Sequence, residues 1–137
     1  MSQRTTAPIL VVGLGCRHGC SAEHVWALLE RVLSQAVMCP RTLNGMASID
    51  LKAHEPGLIE LAEHLKLEFQ VFSAQQLEPY AAHLSARSEV AFARTGCWGV
   101  AESAALALAE QLTGKPATLL ITRQSSAMAT VAVATAG

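Results

Sequence analysis

The segment GLGCRHGCSAEH (13–24) gathers three glycines, two cysteines, an arginine and two histidines directly after an apolar run. Four chemistries compete for such a loop: phosphate binding, metal binding, thiol catalysis and capture of an organic anion. Gly13-x-Gly15-x3-Gly19 misses the G-x-G-x-x-G spacing of a dinucleotide loop, and Asp50 stands further on than that motif's acidic residue. No G-K-[ST] follows, which excludes a P-loop. Cys16, Cys20 and His24 are spaced by fours, whereas zinc sites pair their ligands more tightly and add a fourth. No metal and no cofactor are expected. Cys16, near a helix start and beside Arg17 and His18, has the setting of a thiol with a lowered pKa and is a candidate nucleophile. Anion capture needs no motif. Gly13 and Gly15 admit a ligand to the main chain, the amides around Ser21 open a helix, and Arg17 offers a bidentate clamp for a carboxylate. The plain alternative, a tight turn with Arg17 facing solvent, stays open on these residues alone.

A second loop, DLKAHEPG (50–57), brings Asp50, Lys52, His54 and Glu55 to the end of a strand. An acid, a base and a cation are there within reach of one ligand. Asp50, Glu55 and His18 join Cys16 as catalytic candidates, and Lys52 joins the binding set. Taken singly, Glu55 serves the helix dipole and Asp50 pairs with Lys52. In GCWGVAE (96–102), Trp98 offers a flat ring for a conjugated ligand or a core anchor. Glu102 suits the helix dipole. Arg123, at the mouth of a closing hairpin, is a further candidate cation.

These residues need a frame. Ala7 to Leu14 is a continuous β-branched run, read as a strand buried on both faces. Ser21 caps a helix over 22–37, with Val25, Leu28, Leu29, Val32 and Leu33 at helical spacing. Gly45–Asp50 is a second strand, Pro56 opens a second helix, and Leu67–Phe72 is a third strand. Ser73-Ala74-Gln75-Gln76 is a capping box opening a helix through Ala81. A short helix starts at Ser88 and stops near Gly96. An alanine-rich helix runs from Gly99 to about Leu112, where Gly114 and Pro116 end it. Thr118–Thr122 and Thr130–Ala134 close the chain as a hairpin across Gln124-Ser125-Ser126. The order β-α-β-α-β-α-α-α-β-β predicts a three-layer α/β/α domain with a mixed, mostly parallel sheet of about five strands. Ligands of such sheets bind beyond the carboxyl ends of the parallel strands, which singles out 13–21, 50–57 and 73–76.

Composition agrees. The 137 residues suit one domain, 1–137, and 51% hydrophobic against 15% charged residues exclude disorder. A net charge of −1 without a basic run argues against nucleic acid. The apolar stretch after Arg4 is too short for a leader and none spans a bilayer, so no membrane association is expected. Cys16, Cys20, Cys39 and Cys97 read as free thiols in a reducing cytoplasm.

Several blocks then occur in order: GLGCRHGCSAE (13–23), IDLKAHEPGL (49–58), FSAQQL (72–77), GVAESAAL (99–106) and ATVAVA (129–134). Together they resemble the C-terminal domain of CbiG-type cobalamin biosynthesis proteins, most closely its stand-alone form, over residues 8–135. The resemblance implies a role in corrin-ring assembly. Family members with this domain open a lactone on a cobalt-precorrin and release a two-carbon fragment. This chain is expected to act without their N-terminal partner domain, and in the oxygen-dependent pathway. It carries Arg123-Gln124 where relatives often have a lysine. The expectation is binding of a precorrin or corrinoid through Arg17, Lys52 and Arg123, with Trp98 against the ring. Hydrolysis or lysis of the same ligand is the alternative. Other enzymes of the pathway are the expected protein partners.

Overall fold

The computed structural model describes residues 8–137. Ala7, the expected first residue of the opening strand, and Arg4 of the leader-like stretch lie outside the described residues. Five strands, β1 (Ile9–Cys16), β2 (Gly45–Ile49), β3 (Phe69–Phe72), β4 (Ala117–Ser125) and β5 (Ala129–Ala136), form one sheet in the order β3-β2-β1-β5-β4. β1 pairs in parallel with β2, and β2 with β3. β5 is antiparallel to both β1 and β4. Four strands therefore run one way and β5 alone runs back, giving the mixed sheet expected.

Alternation along β1 divides the core. Val12 and Leu14 face helices α1 (Ala22–Gln35) and α2 (Pro56–Leu65), packing with Val25, Leu29 and Leu58. Val11 faces the other layer, where α5 (Val100–Thr113) packs with Ala104, Ala105 and Leu108. Residues 101–109 of α5 are all buried, because α3 (Ala74–Leu77) and the following turns cover its outer side. A helix buried all round has little use for polar residues, which explains its alanines.

Two glycines allow close approaches. A Cβ on Gly13 would lie 1.9 Å from the Ala101 carbonyl oxygen, so α5 sits directly on the β1 backbone. A Cβ on Gly57 would lie 2.1 Å from the Cys20 carbonyl oxygen, so the first turn of α2 sits against the β1–α1 loop.

Local signals hold at the helix starts. Ser21 Oγ accepts the His24 amide at 3.2 Å. Ser73 and Gln76 form the reciprocal capping box. The last hairpin differs from expectation. Its strands extend through Ser125 and from Ala129, and Ser126 Oγ accepts the Met128 and Ala129 amides to close a tighter turn. Arg123 thus lies within β4, between Ile121 and Gln124, where the register with β5 shifts.

Candidate functional site

The cleft lies where the carboxyl end of β1 meets the β4–β5 hairpin, the start of α5 and the helix α4 (Glu89–Thr95). It encloses about 290 Å³. Arg17, Lys52, Arg94 and Arg123 line it, with Gly15, Cys16, Val90, Ser125 and Ser126. Each cation comes from a different element, so the convergence is a product of the fold and not of one basic stretch.

Local structure explains each position. Arg17 follows β1 directly, and its amide donates to the Met128 carbonyl at 2.9 Å, tying the first loop to the hairpin. Lys52 stands in the single helical turn Asp50–Lys52 after β2. Its ammonium is 3.6 Å from the buried carboxylate of Glu55. Glu55 also accepts the Gly19 amide at 3.0 Å and lies 3.6 Å from His18 Nδ1. Glu55 thus ties the first loop to the second. Arg123 owes its place to a β-bulge: two residues of β4 oppose one of β5, which frees its amide from the ladder and re-aims the strand. That amide donates to Glu102 Oε2 at 2.8 Å.

Glu102 is the buried acid of the cleft, 1% exposed. Besides the Arg123 amide, it accepts the Ser85 amide at 2.8 Å and the Ser85 hydroxyl at 2.6 Å. Three internal donors satisfy the carboxylate, as a buried charge requires. The α5 helix starts at Gly99 without a side-chain cap, and Gly99, Val100 and Ala101 line the cleft. Its first-turn amides and dipole add to the positive character of the wall.

The structure brings Gly15, Cys16, Arg17, Lys52 and Arg123 together and places the other expected residues elsewhere. Gly13 is buried beneath α5, so its missing side chain serves packing and not ligand approach. Ser21 caps α1, its Oγ 2.9 Å from His24 Nδ1, outside the cleft. Asp50 is exposed and does not pair with Lys52, which Glu55 holds. The His18 side chain is 97% exposed. Trp98 does not line the cleft. It stacks on Phe92, with ring centroids 4.2 Å apart and planes 19° apart, and the Arg87 guanidinium lies 5.8 Å from its ring. Cys16 is present, but without the lowered pKa its neighbours suggested. Burial, outweighing the opposing pull of Lys52, pushes its thiol up to about 11, so it is a neutral thiol at ordinary pH. Among the described residues no group of three His, Cys, Asp or Glu side chains gathers to hold a metal, and no helix is long and apolar enough to cross a membrane.

Sequence reading placed the start of α5 correctly at Gly99 but missed Arg94, the structural place of Glu102 and the position of the α5 N-terminus in the cleft wall. The available signals were slight: a glycine where a capping side chain usually stands, and an arginine in the last turn of the helix just before it.

Cations from separate elements around an uncapped helix start define a small α/β/α domain with a cation-lined cleft. Residues 10–134 match the family model described as Cobalamin synthesis G C-terminus. The chain is 43% identical over 125 residues to Protein CobE of Sinorhizobium sp, covering 91% of this chain and 79% of that protein. A solved structure of CobE, a protein from the cobalamin biosynthetic pathway, superposes with a TM-score of 0.93 over 98% of this chain and 95% of that one, at 43% identity. The chain is also 30% identical over 126 residues to cobalt-precorrin-5A hydrolase of Priestia megaterium, spanning 92% of this chain but 32% of the hydrolase. The chain belongs to the CobE/CbiG C-terminal family of cobalamin biosynthesis proteins.

Proposed function

We propose that the chain binds a precorrin or corrinoid intermediate, gripping its carboxylate arms in the cationic cleft. The supporting observation is the convergence of Arg17, Lys52, Arg94 and Arg123 on one cleft whose buried acid, Glu102, is held by internal donors. A carboxylate-rich macrocycle complements that arrangement. Arginine forks suit carboxylates bidentately, and the α5 amides add fixed donors. The cleft is small beside such a ring, so it holds an edge and its arms while the remainder lies outside.

Hydrolysis of a precorrin is the second reading, supported by the name of the cobalt-precorrin-5A hydrolases. Of the candidates for it, Asp50 and His18 are exposed and do not line the cleft. Glu55 is occupied by the Gly19 amide and Lys52, while Cys16 is a neutral thiol. Binding is therefore the better-supported reading.

Spectroscopic titration with cobyrinic acid, followed by mass analysis of the ligand, tests both. The expected result is saturable binding with unchanged ligand mass. Arg17→Ala and Lys52→Ala should each weaken affinity by about 1–3 kcal/mol. Unaltered affinity in both variants overturns the cleft assignment. A mass change with a mid-pathway precorrin would move the reading to hydrolysis.

A further inference from the structure

Helix α4 has no fully buried residue, yet it is firmly placed. Ser88 Oγ accepts the Ala91 amide at 3.1 Å, and the Ser88 amide donates to the Trp98 carbonyl at 2.8 Å. Thr95 Oγ1 donates to the Ala91 carbonyl at 2.7 Å and accepts the Cys97 amide at 3.1 Å. Through Phe92, the helix stacks on Trp98.

The stack fixes the rotation of the helix. Phe92 meets Trp98, and a different face, carrying Val90, Ala91, Arg94 and Thr95, lines the cleft. Val90 and Arg94 are four residues apart and so neighbour each other on that face. Arg94 brings a cation. Val90 brings an apolar surface that is 64% exposed to water. The hairpin contributes Ser125, Ser126, Ala127 and Met128 to the lining. An apolar residue held beside a cation matches a ligand whose flat apolar ring carries carboxylate arms.

Building on the cleft reading, we propose that Val90 is the macrocycle-contacting residue of the site. The apolar edge of the ring packs on Val90 while one of its carboxylates reaches Arg94, and the Phe92–Trp98 stack acts as a positioning pair that keeps this line turned toward the cleft. The cations of the cleft therefore recognise carboxylate, and Val90, the exposed apolar residue beside Arg94, adds selectivity for carboxylate on a large apolar ring.

Two probes separate these roles: uroporphyrin, a carboxylate-rich macrocycle, and citrate, an acyclic polycarboxylate. Val90→Ser should weaken uroporphyrin binding by about tenfold, equivalent to about 1.4 kcal/mol, and leave citrate binding unchanged. Val90→Leu should restore uroporphyrin affinity. Arg94→Ala should weaken both ligands. In NMR spectra of the wild-type chain, the Val90 methyl signals should show a porphyrin ring-current shift that citrate does not produce. Because Val90 is exposed, these substitutions leave the core intact. Unchanged uroporphyrin affinity in Val90→Ser, with loss in Arg94→Ala, overturns the Val90 assignment and leaves the cleft standing. Absence of uroporphyrin and cobyrinic acid binding by the wild-type chain overturns both.

Discussion

Glu102 and Arg123 are joined through the main chain and not through their charges: Glu102 Oε2 accepts the Arg123 amide at 2.8 Å. The guanidinium therefore keeps its charge available to the cleft, while the carboxylate staples a bulged strand to α5. Both oxygens of Glu102 face donors, since Oε1 accepts the Ser85 amide. Glu102→Gln would turn an NH2 group toward one of them. The expected outcome is a loss of about 1–3 kcal/mol, read as a lower urea midpoint with unchanged slope, together with weaker cobyrinic acid binding. An unchanged midpoint would contradict the staple.

The two glycines of β1 should respond in opposite ways. Gly13→Ala drives a methyl into the Ala101 backbone and should prevent stable folding. A Cβ on Gly15 meets nothing nearer than Val100 Cβ at 3.8 Å, so Gly15→Ala should fold with near-normal stability and perturb only the cleft. Circular dichroism melts check the first part and ligand titration the second.

Stability should fall at alkaline pH. The Cys16 thiol is raised from 9.0 to about 11 by burial above all. The folded chain thus holds this proton longer than the unfolded chain, and its contribution is complete below about pH 9 and lost as pH rises toward 11. Tyr80, raised to about 12 by burial and by its hydrogen bond to Glu110, extends the decline upward. Denaturation midpoints across this range should fall less steeply in Cys16→Ala. Equal slopes would show that Cys16 does not contribute.

Glu55 separates binding from hydrolysis. Glu55→Gln keeps an acceptor for the Gly19 amide and removes the charge facing Lys52 and His18. Because the carboxylate is buried, its stability loss should be about 1–2 kcal/mol, and cobyrinic acid binding should persist. Glu55→Ala leaves that amide without its partner and should lose about 1–3 kcal/mol. Abolished turnover of a precorrin in Glu55→Gln, with binding intact, would instead make Glu55 catalytic.

Much of the frame was legible in the sequence because its signals are local. Ser21, Ser73 and Pro56 mark helix starts by capping chemistry, and the run around Val11–Leu14 declares a central strand. Arg17 and Lys52 were found because they follow strands at the carboxyl edge of a sheet. Arg94 and Glu102 were harder to find because their roles depend on contacts across the chain: Glu102 meets Ser85 and Arg123, and α4 reaches the cleft only by being pinned to residues 97 and 98. The bulge that moves Arg123 is equally invisible, since it arises from the pairing of β4 with β5. Cys16 shows the converse error, in which cationic sequence neighbours suggested activation and burial reversed it.

β5 occupies the place beside β1 along its whole length, from Ile9 against Ala136 to Cys16 against Ala129. The strand completing the middle of the sheet is thus the last of the described strands to be synthesised. Until it arrives, β1 has an open edge, the hairpin wall of the cleft does not exist, and Arg17 has no Met128 carbonyl to anchor it. Pairings so distant in sequence slow folding, so a nascent chain halted before residue 129 should be unable to hold ligand, and capacity to bind should appear only once β5 has emerged to pair with β1.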